Sequence, residues 1–137
     1  METEIKYRMF CFVPYNISDI QKGIQALHGV VEYQLEHGNL EPYKKWSEIE
    51  KTVIILNGGT TGRKSSMHDI IRILKEFKID YSLFCEEDMN DALTSINFIL
   101  PSTIYNLEIN QDLLEWPETF LKLEEKIKIW LSKFKLA

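Results

Sequence analysis

The residues with the clearest chemical potential lie between positions 57 and 65, where three glycines, three hydroxyl residues and two cations follow an apolar run. The segment reads Asn57-Gly58-Gly59-Thr60-Thr61-Gly62-Arg63-Lys64-Ser65. A glycine-rich turn from a strand into a helix presents backbone N–H groups beside the positive end of the helix, where an anion can bind. We therefore predict that this loop holds phosphate oxygens, with Arg63 and Lys64 supplying charge. The loop is not a P-loop, because Arg63 stands where the Walker pattern requires a glycine directly before the lysine.

Two other segments could bind the ribose and the base of a nucleotide. Glu87, Asp88 and Asn90 belong to an acidic run after a predicted strand, and their oxygens could accept hydrogen bonds from ribose hydroxyls or base amines. Tyr15 directly follows the first predicted strand and could stack on a base. An alternative is that the charges of the glycine-rich loop and the acidic run simply neutralise each other across two connecting loops.

A polar row accompanies the first long helix. Gln21, Gln25, His28 and Glu32 share one side of that helix, directly beside an apolar stripe, so their side chains can be half-buried and point into a cleft. The alternative is a histidine at the edge of the core that satisfies a hydrogen bond and binds nothing. The predicted ligand-binding residues are Tyr15, Gln21, Gln25, His28, Asn57, Gly58, Gly59, Thr60, Thr61, Arg63, Lys64, Ser65, Glu87, Asp88 and Asn90.

No catalytic or metal-binding constellation accompanies these residues in the sequence. His28, His37 and His68 show no zinc-type spacing with Cys11 and Cys85, and no nucleophile–base pair can be assembled. Both cysteines lie in apolar runs, which is typical of buried thiols in a reducing cytoplasm. We therefore predict a cytoplasmic protein that uses no cofactor and no metal and has no catalytic residues.

The composition of the chain predicts one domain and argues against nucleic acid and membranes as binding partners. The 137 residues are 45% hydrophobic, which predicts a single domain over residues 1–137 with its own core. A net charge of −5 argues against a general nucleic-acid binder, because phosphate contacts dominate that affinity. No signal peptide and no apolar run of roughly 20 residues are present, so we predict no membrane association.

The hydrophobic pattern predicts the elements that must position these residues. Strands are expected at residues 7–13, 52–56, 81–85 and 94–100, with a further edge strand possible at 104–109. Helices are expected from the N-cap Ser18 to about His37, from the N-cap Ser66 to Phe77, and from Pro117 to Phe134. The stripe predicted to face the core from the first helix is Ile20, Ile24, Leu27, Val31 and Leu35.

This order predicts an α/β fold with a small, mixed, mostly parallel four-stranded sheet flanked by helices. Right-handed crossovers would make the first three strands parallel, so that their carboxyl ends share one edge of the sheet. The segment after Pro14, the glycine-rich loop and the acidic run all emerge there. Ligands of open α/β sheets bind at that edge.

The chain resembles the class II peptidyl-tRNA hydrolases. The segment Gln25-Ala26-Leu27-His28 is similar to the end of that family's first-helix pattern, approximately G-K-G-K-I-A-A-Q-C-x-H-A. The run from Phe84 to Pro101 is similar to the family's strand, loop and proline-ended strand. The resemblance implies the family's four-stranded mixed sheet flanked by helices.

The chain departs from that family where the hydrolase chemistry resides. The family's two helix lysines fall on Asp19 and Gln21, and the acidic segment 86–94 replaces its arginine-containing loop. An acidic loop would repel the tRNA backbone. The chain is also similar in style to short phage-encoded members of this superfamily, which implies a binder that sequesters a nucleotide immune signal.

Three hypotheses follow. The first is non-catalytic binding of a small nucleotide-like ligand. The second is a divergent peptidyl-tRNA hydrolase that uses Gln25 and His28. The third is a partner-binding module that forms a homodimer through exposed aromatic residues around Tyr43, Trp46 and Trp116.

Overall fold

A computed structural model describes residues 4–62 and 64–137. Four strands form one sheet: β1 (Tyr7–Pro14), β2 (Val53–Gly59), β3 (Tyr81–Glu86) and β4 (Ala92–Pro101). The strand order is β2-β1-β4-β3. The strands are rich in β-branched and aromatic residues, and the eight central residues of β4 are all buried.

The expectation of a mostly parallel sheet is wrong. Only β1 and β2 pair in parallel, whereas β4 runs antiparallel to both of its neighbours, β1 and β3. The reason is the short turn between β3 and β4, a 3₁₀ turn at Glu87–Met89 followed by Asn90 and Asp91 with positive φ, which reverses the chain directly. Strands β1, β2 and β3 still share one direction, so their carboxyl ends lie at one end of the sheet.

Helices cover both faces of the sheet. One face carries α1 (Asp19–His37) and a segment in which α2 (Glu41–Lys45) continues into a π-helical turn (Trp46–Glu50). The other carries α3 (Ser66–Glu76), α4 (Ser102–Tyr105) and α6 (Leu123–Leu131), while α5 (Gln111–Leu114) is a short surface helix. The structure is therefore a small α/β fold with a four-stranded mixed sheet between helical layers.

The orientation of α1 reverses the sequence expectation. Ser18 caps its N-terminus by accepting from the Gln21 N–H, and the helix ends at His37 before Gly38, as predicted. The residues that face the sheet, however, are Gln25, Ala26, Gly29 and Tyr33. The predicted core-facing stripe is instead exposed, from 37% at Ile24 to 77% at Ile20. We call these five residues the outer stripe: Ile20, Ile24, Leu27, Val31 and Leu35.

The surface beneath α1 explains this orientation. That part of the sheet presents Ser82, Thr94, Ser95 and Asn97, all of them buried. These polar groups accommodate Gln25, which accepts a hydrogen bond from Thr94. Ala26 and Tyr33 pack against apolar sheet residues on the same face, and the small residues Ala26 and Gly29 let the helix approach closely. The sheet therefore buries the side of α1 that combines Gln25 with small and aromatic residues, and it leaves the outer stripe outside.

Other predicted boundaries change as well. Strand β2 continues through Asn57, Gly58 and Gly59, which were predicted to lie in the loop. The proposed edge strand at 104–109 is absent from this described stretch, because the chain turns after Pro101 into the short helix α4. The last helix is shorter than expected, and Phe120 is 71% exposed, outside the core. Ser65, rather than Ser66, caps α3, its side chain accepting from the His68 N–H. In each case, tertiary contacts set the boundary, and the local sequence pattern does not show these contacts.

Two of the aromatic residues proposed for a dimer surface belong elsewhere. Trp46 is only 6% exposed and donates its indole N–H to the Thr52 carbonyl at 2.8 Å. Tyr43 packs against it with a ring separation of 5.8 Å, whereas Trp116 is 51% exposed. The expectation of an exposed aromatic surface is therefore wrong for Trp46. Among the described residues, no helix has the length and apolar character needed to cross a membrane.

Candidate functional site

The three predicted site loops emerge at the same end of the sheet but not at one place. The strand order sets β2 and β3 at opposite edges, with β1 and β4 between them. Three inter-strand spacings separate the two edge strands, a distance of about 14 Å. The glycine-rich loop after β2 and the acidic turn after β3 consequently belong to two different clefts.

The glycine-rich loop folds back on the first turn of α3. The Asn57 side chain accepts from the Gly59 N–H at 2.9 Å, and Gly59 has a φ of +94°, which favours glycine. The Ser66 hydroxyl donates to the Gly58 carbonyl at 2.8 Å and accepts from the Thr60 N–H at 3.0 Å. Several loop N–H groups therefore bind the protein's own oxygens, so an anion here would be held mainly by side chains.

The loop backbone is also packed tightly. A Cβ at Gly58 would overlap the Met67 sulfur, so the strand reaches α3 only because this residue is glycine. Ser65 is buried and forms a hydrogen bond of 3.0 Å with Nδ1 of His68 in addition to its capping contact. Ser65 thus fixes the start of the helix. Thr60 and Lys64 are exposed, Thr61 is half-buried, and Arg63 lies outside the described residues.

The carboxyl-terminal residues complete this region. The Asn57 N–H donates to the Lys135 carbonyl at 2.8 Å, and the Ala137 N–H donates to the Ile55 carbonyl at 3.0 Å. Leu136 and Leu56 form an antiparallel bridge, so the chain end pairs with the outer edge of β2. This pairing brings Lys133 and Lys135 to the glycine-rich loop.

We call the resulting space the glycine-loop cleft. It has a volume of about 280 Å³ and is lined by Asn57, Gly58, Gly59, Ser66, Lys133, Phe134 and Lys135. The two lysines were not among the residues predicted from the sequence to bind a ligand. No local signal could have found them, because a contact between residues so far apart in sequence depends on how the chain end pairs with β2.

Tyr15 lies beside this cleft. Its backbone N–H donates to the Gly59 carbonyl at 3.1 Å, which ties the segment after β1 to the glycine-rich loop. The Tyr15 side chain is 56% exposed. This end of the sheet therefore presents an exposed aromatic side chain on a segment bonded to the glycine-rich loop.

Three other predicted residues, His28, Glu87 and Asp88, line a second cleft, which we call the acidic cleft. It has a volume of about 420 Å³ and is lined by His28, Phe84, Cys85, Glu86, Glu87 and Asp88. The His28 ring stacks on Phe84 with centroids 4.7 Å apart. Asn90 is exposed, and its backbone N–H closes the turn by donating to the Glu87 carbonyl at 3.2 Å. Three carboxylates make this cleft unfavourable for a phosphate.

A buried hydrogen-bond row runs beneath α1. Thr94 donates to Oε1 of Gln25 at 2.6 Å, and Nε2 of Gln25 donates to Oε1 of Gln21 at 3.2 Å. The Ser82 hydroxyl donates to the Gly29 carbonyl at 3.0 Å. Gln25 is only 1% exposed, so it joins α1 to the sheet and does not line either cleft.

The cysteines differ in their surroundings. Cys11 is fully buried in the sheet, and burial raises the pKa of its thiol to about 12. Cys85 is exposed at the acidic cleft, where partial burial and then the Asp91 carboxylate raise the pKa of its thiol. The expectation that both thiols are buried is therefore wrong for Cys85. Within residues 4–62 and 64–137, no group of three or more His, Cys, Asp or Glu side chains is placed to hold a metal ion.

Comparison of the chain with protein-family models and with curated proteins finds no match in either set.

Proposed function

We propose that this protein binds a small nucleotide-like ligand at the glycine-loop cleft without converting it. The observation that carries the proposal is the approach of Lys133 and Lys135 to Asn57, Gly58 and Ser66 around one open cleft. Lysine ammonium groups bind phosphate as point charges, and the positive end of α3 begins at the same place. Because several loop N–H groups already donate hydrogen bonds to oxygens of the protein, we propose that the lysine side chains make the main phosphate contacts.

Tyr15 supplies the second part of the proposed site. Its exposed ring lies on the segment hydrogen-bonded to Gly59, within reach of a base whose phosphate is held at the cleft. Asn57 and Thr60 add polar groups for a ribose or a second phosphate. The acidic cleft lies at the opposite edge of the sheet, so we assign it no part in binding one mononucleotide.

We propose that the ligand is not converted because the helix lysines of the hydrolase pattern are replaced in this chain. Gln21 stands in place of a family lysine and is hydrogen-bonded to Gln25, while Lys22 pairs with Asp19 at 3.5 Å on its own helix. We propose that the chain keeps a class II peptidyl-tRNA hydrolase-like fold without the hydrolase chemistry. A protein that holds a nucleotide and does not convert it suits sequestration of a nucleotide signal in a reducing cytoplasm.

Calorimetric titration and thermal unfolding with mononucleotides, cyclic dinucleotides and ADP-ribose derivatives test the proposal. A ligand present at 100 times its dissociation constant should stabilise the fold by about 3 kcal/mol. The double variant Lys133→Ala/Lys135→Ala should bind at least about tenfold more weakly, because it loses charge-assisted contacts of about 1.5–3 kcal/mol each. Chromatography of the released ligand should recover it unchanged.

Lys44→Ala/Lys75→Ala is the matched control. It removes the same charge from two exposed positions, one on α2 and one near the far end of α3. Equal weakening by both double variants would show a general charge effect and contradict a site at the cleft. Recovery of a converted ligand would contradict the non-catalytic part of the proposal alone.

A further inference from the structure

The outer stripe of α1 is an apolar surface that the fold does not use. Its five aliphatic side chains follow one another at intervals of three or four residues, so they form one narrow line along the helix. Ile20 is 77% exposed, Leu35 is 74% and Leu27 is 60%. Scattered exposed leucines are ordinary, but a continuous line of them marks an interaction surface.

The spacing of the stripe is symmetric about the middle of the helix. Ile20 and Leu35 are equally far in sequence from the midpoint between Leu27 and His28, and so are Ile24 and Val31. A surface of this kind is complementary to itself when a second copy is rotated by a two-fold axis near Leu27.

An antiparallel pair of α1 helices satisfies this symmetry. Ile20 of one copy would meet Leu35 of the other, Ile24 would meet Val31, and the two Leu27 side chains would meet at the axis. Residues repeating at three and four positions form the seam of closely packed helices. Gly23 lies beside the seam with open space over its Cα, which permits close approach of the second helix. The two macrodipoles would also run in opposite directions, which is favourable.

The charges of α1 favour a protein partner over a lipid surface. The helix contains one lysine, Lys22, and no arginine. The Lys22 side chain is only 17% exposed and pairs with Asp19. A helix that lies on a membrane carries lysines and arginines beside its apolar face, which attract anionic lipids. With a net charge of −5 and no such residues beside the stripe, this surface does not suit an anionic membrane, and its symmetric spacing suits a second copy of the chain.

We propose that two copies of this protein associate through antiparallel packing of their outer stripes. The interface is separate from the glycine-loop cleft and does not depend on the proposed ligand. Because one helix face is small beside a standard interface of about 800 Å² per partner, we expect dissociation constants in the micromolar range. The partner is identical, so the association must depend on protein concentration.

Sedimentation velocity over roughly 1 to 300 μM tests the proposal, a range that spans the expected dissociation constant. Wild-type protein should shift from monomer to dimer, and Leu27→Glu should stay monomeric because two carboxylates would meet at the axis. Leu114→Glu is the matched control, since Leu114 is 59% exposed and lies near the separate apolar patch of Trp116 and Phe120. Leu27 is exposed, so both variants should retain the wild-type melting temperature and circular dichroism.

Disulfide trapping tests the direction of the helices. In a Cys85→Ser background, a mixture of the Ile20→Cys and Leu35→Cys variants should give crosslinked heterodimers, whereas either variant alone should give few. Crosslinking of Ile20→Cys to itself would show parallel helices and overturn the proposed arrangement. A wild-type monomer at every concentration, loss of the dimer in Leu114→Glu alone, or binding to lipid vesicles in place of self-association would overturn the interface itself.

Discussion

The Cα of Gly29 lies directly against the side-chain amide of Asn97, where α1 crosses the middle of the sheet. A Cβ at this position would overlap Nδ2 of Asn97 and Oγ of Ser95. The Asn97 side chain is fully buried, and its Nδ2 has no hydrogen-bond partner among the described residues, while its Oδ1 accepts from Ser95 at 3.0 Å. Close contact between helix and sheet therefore depends on a glycine above a polar layer.

We expect Gly29→Ala to lower the free energy of unfolding by about 1–3 kcal/mol, because the added methyl must displace two buried polar side chains. Urea unfolding monitored by circular dichroism measures this change. Gly23→Ala is the control on the same helix. A Cβ there meets nothing within 4 Å, so alanine should raise stability by up to about 1 kcal/mol through helix propensity. Similar effects of the two substitutions would contradict the close contact at Gly29.

The hydrogen bond between Thr94 and Gln25 gives a second prediction. Thr94→Val keeps the shape of the side chain but leaves a buried carbonyl oxygen of Gln25 without its donor, so we expect a loss of about 1–3 kcal/mol of unfolding free energy. Thr94→Ser retains the hydroxyl and should lose less than Thr94→Val. Equilibrium unfolding in urea measures both. A valine variant as stable as the serine variant would show that the bond of 2.6 Å contributes nothing measurable.

The two thiols should differ in reactivity with a disulfide reagent at pH 8. Cys11 is buried with its pKa raised to about 12, so it should react only after unfolding. Cys85 is exposed and should react in the native protein, more slowly than a free cysteine because its pKa is raised. We expect one thiol equivalent in native protein, two in guanidinium chloride, and none in native Cys85→Ser. Two native equivalents would contradict the burial of Cys11.

Alkaline pH should destabilise the fold through Cys11. The thiol has an ordinary pKa of 9.0 and a folded pKa of about 12, so the folded state keeps a proton that the unfolded state releases. The associated stability is complete below about pH 9 and is lost as the pH rises toward 12, at up to about 1.4 kcal/mol per pH unit. Burial and the Asp80 carboxylate raise the pKa of Tyr33, which adds to the loss. Unfolding free energies from pH 8 to 10.5 should fall less steeply in Cys11→Ala.

Purified protein should not hydrolyse peptidyl-tRNA at an appreciable rate. Under the proposed likeness to class II peptidyl-tRNA hydrolases, that family's two helix lysines fall on Asp19 and Gln21. Glu87 and Asp88 line the cleft beside His28, where they would repel the tRNA backbone. Release of labelled peptide from a peptidyl-tRNA substrate measures the activity. A variant with His28→Ala is the control for residual turnover. Efficient turnover by the wild type that disappears in the variant would support the divergent hydrolase instead.

Local sequence determined where α1 begins and ends. Ser18 and Gly38 bound α1 as expected, because a capping side chain bonds N–H groups within three residues of itself. Strands β1, β2 and β3 follow from apolar runs, and their shared direction follows from the helical connections between them. The carboxyl ends of β1, β2 and β3 could therefore be assigned to one end of the sheet from sequence.

Only the tertiary structure decided which surfaces of these elements meet. The periodicity of α1 shows two different sides but not which one is buried, and contacts with the sheet, among them the bond of Gln25 to Thr94, buried the side opposite the outer stripe. The turn after β3 inserted β4 into the sheet and moved the acidic cleft away from the glycine-rich loop. Pairing of the chain end with β2 then brought Lys133 and Lys135 to that loop. These outcomes depend on contacts between residues that are distant in sequence. The energies of such contacts cannot be predicted from a local sequence pattern.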